Sequence, residues 1–189
     1  MSVRNDYDRK TAGLAGVRVE GVEYWDMRDV EPREWDHGDW HHAVMGVELT
    51  TDAGPVSVVC TNTFHPYGVE IFDEPLSKLV VRGDDGPGNW TVTDHPAWRS
   101  RTDQPILAAG TFWERLGFGP GRYSDGSIAT PARTVEVPVA LRLDFAAGPL
   151  WFVAGNPSET GEVFIPGDEI MVVFTPEEML RIGFPAVAF

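Results

Sequence analysis

The chain has a single cysteine, Cys60, in 189 residues, so an internal disulfide and a cysteine-based zinc centre are both excluded. Lysine is nearly as scarce: thirteen of the fifteen basic residues are arginine, the bias expected of a high-GC bacterial genome. Positive charge as a whole is outweighed, because 29 acids leave a net charge of −14. That sign opposes phosphate-backbone binding, and so points away from nucleic acid and toward a basic protein or a small-molecule ligand. No apolar run approaches the roughly 20 residues of a membrane-spanning helix, so no membrane partner is expected. The first thirteen residues are polar and read as a flexible lead-in without the apolar core of a signal peptide. With the lone cysteine, this makes a cytoplasmic location the expectation.

Motifs are missing too. Neither HxH nor HExxH occurs, the segment GFGPGR at 117–122 lacks the Lys-Ser/Thr ending of a phosphate loop, and no serine sits in a nucleophile turn. No cofactor is implied, and no metal ligand set is assigned.

What is present is a β-pattern that occurs twice. Residues 46–62 return as 140–156 at a constant offset of 94, which carries Gly54-Pro55 onto Gly148-Pro149 and Asn62 onto Asn156. The same offset places Val69-Glu70-Ile71 on Val163-Phe164-Ile165, and Trp25 matches Trp113 at an offset of 88. Twenty glycines and fifteen prolines in short clusters set strand-length spacing between turns. Strands are expected near 17–27, 41–50, 56–63, 69–72, 79–82 and 89–93, and again near 106–113, 135–145, 150–154, 162–165 and 170–174. Thr175-Pro176-Glu177-Glu178 supplies a helix start, and Gly183 with Pro185 its stop. The fold class is therefore all-β with one short C-terminal helix. It is an internally duplicated antiparallel meander forming a pseudo-two-fold β-barrel or a two-sheet sandwich. One domain is expected, with copies at about 14–94 and 95–174 and a helix and tail at 175–189. Closure into a barrel would remove exposed sheet edges, which favours that form.

Chemistry concentrates in Trp35-Asp36-His37-Gly38-Asp39-Trp40-His41-His42. Strand alternation puts His41 on the core face with Ala43, Met45, Val47 and Leu49, against Val135, Val137, Val139, Leu141 and Leu143 in the second copy. His42 then points outward, and the adjacent pair is not expected to share one metal unless the strand starts after them. His65 is a second feature of copy one alone, and His95 before Pro96 reads as a turn residue. If the loops meet, His41, His65, Asp36 and Asp39 form a candidate acid–base set. Residues 20–39 hold eight acids against Arg28 and Arg33. In or beside this acidic stretch, Trp35, Trp40, Glu31 and Glu34 are candidate partner-binding residues. Trp151, on the face opposite Leu150 and Phe152, is a candidate ligand-facing aromatic. Trp25 and Trp113 read as core, and Cys60 as a small filler.

Two functions are consistent with this pattern. One is a non-enzymatic binding protein that presents the acidic Trp/His loop to a basic partner. The alternative is a small β-barrel enzyme or ligand carrier, with cyclase- or isomerase-like acid–base chemistry ahead of a metal-dependent variant, whose cavity copy one lines. The oligomeric state is not encoded in any recognisable pattern.

Overall fold

The computed structural model describes residues 2–26, 34–80 and 88–186. A ten-residue helix, α1 (Val3–Ala12), leads into β1 (Val19–Asp26), β2 (Trp40–Val44), β3 (Gly46–Thr51), β4 (Gly54–Thr61) and β5 (Gly68–Phe72). One-turn helices α2 (Leu76–Leu79) and α3 (Pro96–Arg99) flank β6 (Gly88–Thr91). The second part runs through β7 (Ala108–Phe118), β8 (Gly121–Arg122), β9 (Ile128–Thr130), β10 (Arg133–Phe145), β11 (Gly148–Ala154), β12 (Asn156–Pro157), β13 (Val163–Phe164) and β14 (Ile170–Val173). Helix α4 (Pro176–Arg181) follows. No helix among the described residues is long and apolar enough to cross a membrane.

The molecule is mostly β. Its main sheet is a curled half-barrel in the order β5-β4-β3-β1-β2-β14-β11-β10-β7, with β6 paired to β1 as well. The β3–β4 hairpin has the register of β10–β11: Val47 pairs with Val58 as Leu141 pairs with Phe152. Both turns use the glycine that the sequence marks, Gly54 at φ +114° and Gly148 at φ +109°, where a side chain would be strained. Beyond these hairpins the pairing departs from the sequence match. The strand that pairs with β11 as β5 pairs with β4 is β14, not residues 163–165, of which Val163 and Phe164 enter a separate two-stranded ribbon with β12. Trp25 stands opposite Gly46 where Phe112, not Trp113, stands opposite Ala140, because a bulge near Val139 shifts the register.

The strand expected over 41–50 is two strands. Val44 lies at φ 49° and Gly46 at φ 156°, and a Cβ on Gly46 would sit 2.7 Å from the Val58 carbonyl. The chain turns there, so β2 leaves the first meander and runs as a ladder partner of β14, with His41 opposite Val172 and Trp40 opposite Val173. It touches β1 through a single bridge, Trp25 to Val44. β2 therefore has no counterpart in the second meander, and Val135 does not occupy the place of His41. Met45 packs outside with Trp25, Val59 and Leu76, while Val137 and Val139 join a second outer cluster under α4. The inner face is filled by Val22, Tyr24, Val47, Leu49, Leu141, Leu143, Phe152 and Val172.

Three helices were not expected. The segment read as a lead-in is α1, capped by the Ser2 hydroxyl, with Tyr7 and Thr11 as its buried i, i+4 pair. It spans the gap between the two terminal strands. Tyr7 Oη donates to the Val69 carbonyl at 2.5 Å and Lys10 Nζ to that of Ile71 at 2.7 Å, both on β5. On β7, Trp113 Nε1 donates to Asp8 at 2.7 Å and Thr111 to Thr11 at 3.2 Å. Edge carbonyls that would invite another strand are thus satisfied by a helix. Residues 76–79 form α2, which takes in Leu79 of the strand read near 79–82, while 81–82 lie outside the described residues; α3 occupies the crossover. The fourth helix matches its sequence signals. The Thr175 hydroxyl accepts from Glu178 N at 3.2 Å, and Gly183 takes φ +99° past the end.

Candidate functional site

The chemically dense segment folds as a tight hairpin whose second arm is β2. Asp36 pairs with His41, His37 N donates to Trp40 O at 3.0 Å, and His42 N donates to Trp35 O at 2.7 Å. The turn follows from local chemistry: the Asp36 carboxylate accepts from Gly38 N at 2.9 Å, and Gly38 takes φ +82°. Cross-strand partners share a face, so the pairing of 36 with 41 brings a carboxylate beside a histidine. Alternation sends His37, Trp40 and His42 to the other face. One segment therefore builds two settings.

The inner setting centres on His41, which is fully buried. Its Nδ1 shares a 2.7 Å hydrogen bond with the Tyr24 hydroxyl, which also accepts from Trp98 Nε1 at 2.6 Å. Its Nε2 has no hydrogen-bond partner and faces Asp36 Oδ1 at 3.5 Å. His95 completes the cluster. The Ala97 N–H donates to its Nδ1 at 3.3 Å, and its Nε2 lies 3.1 Å from Asp36 Oδ2. The rings of Trp35, Phe174 and His95 surround His41 with centroids 5.0, 4.6 and 4.5 Å away. Burial pushes His41 down to about 4, His95 adds to the shift, and Asp36 opposes it. Asp36 is held below the usual carboxylate range, first by the Gly38 N–H and then by the histidines. The Tyr24 hydroxyl is raised by burial.

The outer setting is a groove of about 360 Å³. Glu34, His37, Trp40 and His42 form one wall, with Glu159 and Arg181 among the residues opposite. Trp40 and His37 stack with centroids 4.0 Å apart, and His42 Nε2 bonds Glu169 at 2.8 Å. Arg181 is neutralised by Glu178, through contacts of 2.6 and 2.5 Å, and donates to the Gly161 carbonyl. Glu34 and Glu159 have no cationic partner among the described residues, so the groove keeps a negative balance.

The candidates read from the sequence divide between these settings. Asp36 and His41 meet, whereas His65 packs against Phe118 and stays outside the cluster. Asp39 sits exposed in the hairpin turn, where its backbone carbonyl accepts from Phe174 N. Trp35 walls the inner cluster, and Trp40 with Glu34 lines the groove. Glu31 lies outside the described residues. Trp151 does not face a ligand: it is 1% exposed, packed in the outer cluster with Met179, Ile182 and Phe184. Trp25 is buried, Trp113 is half-buried beneath α1, and Cys60 bonds the Glu169 carbonyl through Sγ. His95 was read as a turn residue. It does begin α3, but its free ring edge enters the cluster, and only its placement by the β6–α3 connection reveals this. Comparison with family models, with curated proteins and with solved structures returns no match for this chain.

Proposed function

We propose that the chain is a non-enzymatic binding protein that receives a basic partner in the groove between the hairpin and α4. The observation carrying this reading is a half-buried tryptophan, Trp40, that lines one groove with two carboxylates, Glu34 and Glu159, which lack cationic partners among the described residues. Among the described residues lining that groove the cation is Arg181, and it is spent on Glu178. A net charge of −14 steers the same class of partner toward the surface. Against acid–base catalysis stands the engagement of the histidines. Both nitrogens of His95 and Nδ1 of His41 are hydrogen-bonded, and the free Nε2 of His41 is buried. A barrel-type carrier is disfavoured by the apolar side chains that fill the inner face.

On this reading the matched hairpins descend from an internal duplication with pseudo-two-fold character, and the binding hairpin was added where the halves join. A single half-buried cysteine fits the reducing, cytoplasmic setting expected from the sequence.

An arginine-rich peptide is the direct probe. Glu34→Lys with Glu159→Lys should weaken its binding about tenfold at low salt and flatten the salt dependence. Reversing two exposed acids elsewhere, Glu20 and Asp125, should change it little. Equal losses from both pairs would reduce the groove to general surface charge and end the proposal.

A further inference from the structure

Within the inner cluster, one donor atom from each of Asp36, His41 and His95 lies within 4.8 Å of the others. We propose that these three residues bind a single divalent ion of the zinc class.

The geometry is the first argument. Ligands held about 2.0–2.1 Å from a tetrahedral ion stand roughly 3.3 Å apart. Asp36 stands near that spacing from each histidine, though through different oxygens: Oδ1 lies 3.5 Å from His41 Nε2 and Oδ2 3.1 Å from His95 Nε2, so binding one ion draws the three donors together from within 4.8 Å. The second argument is independent of it. His41 Nε2 is a fully buried polar atom with no hydrogen-bond partner, aimed at the carboxylate. Native interiors rarely leave such an atom unsatisfied, and an ion between it and Asp36 would satisfy it. Two imidazoles and one carboxylate are also a donor set that zinc accepts, with one position left open. Asp36 and His95 are 43% and 23% exposed, so that open position faces solvent and leaves the ion a way in.

Ligation through Nε2 places each ring proton on Nδ1. At His41 that proton meets the Tyr24 oxygen, an outer partner that holds the ring in place. At His95 the Nδ1 proton faces the Ala97 N–H, another donor, so that contact, the longest hydrogen bond of the cluster at 3.3 Å, is given up and His95 is the ligand that shifts. His37 and His42 lie on the opposite face of the hairpin and take no part.

The test is calorimetric titration of the chelator-stripped chain with zinc chloride, with cobalt(II) absorption as a geometric check. One ion per chain is expected. His95→Ala and Asp36→Asn should each weaken binding by about 100-fold or more, while His42→Ala and His65→Ala leave it unchanged. Binding no tighter than about millimolar, or binding removed by His42→Ala instead, overturns the assignment. If either ligand variant fails to fold, the histidine ring spectrum of the unaltered chain decides. Zinc must shift the His41 and His95 signals, and shifts confined to His37, His42 or His65 refute the site.

Discussion

The two faces of one hairpin differ in nearly every physical respect. On the inner face, Asp36 and His41 sit within a ring of aromatics, and the buried Tyr24 hydroxyl links His41 to Trp98. On the outer face, His37, Trp40 and His42 border an open groove whose acids face solvent. Strand alternation sets His41 apart from Trp40 and His42, and the pairing of 36 with 41 turns Asp36 inward while Trp35, at the hairpin's start, also packs inside. A dense run of polar residues in sequence is therefore not one site. Low dielectric makes each inner contact costly to lose, whereas water screens the outer ones.

That contrast can be broken most forcefully at Tyr24. Tyr24→Phe leaves the Trp98 indole N–H and His41 Nδ1 without their partner, and should cost roughly 3 kcal/mol in urea unfolding. A loss below about 1 kcal/mol would show that water reaches the cluster.

Acid should act nearly as strongly on the inner face. His41 takes up its proton only near pH 4 when folded, because burial disfavours the charged ring. Its unfolded value is about 6.5, so the unfolded chain binds the extra proton first and stability falls as pH drops from about 6.5 toward 4. Asp36, depressed in the fold, adds a loss of the same sign as pH falls through its own lowered value. The His41 share is on the order of 3 kcal/mol, read as the difference between unfolding at pH 7 and pH 4. His41→Val should flatten that slope, and an unchanged slope would assign it to other groups.

Outer-face changes should be small. His42→Ala removes a half-buried pair with Glu169 and should cost about 1 kcal/mol or less. The Glu34→Lys and Glu159→Lys reversals should alter unfolding by no more than about 0.5 kcal/mol even while they weaken peptide binding. Larger effects would mean that the groove is a structural seam.

Much of the local architecture was legible because its causes are local. The turns at Gly54 and Gly148, the Thr175 cap and the opposed directions of His41 and His42 depend on residues within a few positions of each other. Trp151 was misread because alternation exposes one face only when that face meets water. Here α4 covers the outside of β11 and β14, so both faces are buried. Helix α1 was missed because it buries little beyond Tyr7 and Thr11, and its main partners are strand edges far along the chain.

The sequence by itself determined the strand-rich class, the matched hairpins and the concentration of chemistry between Glu34 and His42. These rest on period, turn residues and charge. Tertiary structure alone decided that β2 crosses to β14, that Asp36 and His41 meet His95, and that Trp40 opens on a groove beside Arg181. The reason is range: alternation and capping act over a few residues, whereas partners such as His95, 59 positions from Asp36, are brought together only by the tertiary placement of the β6–α3 connection.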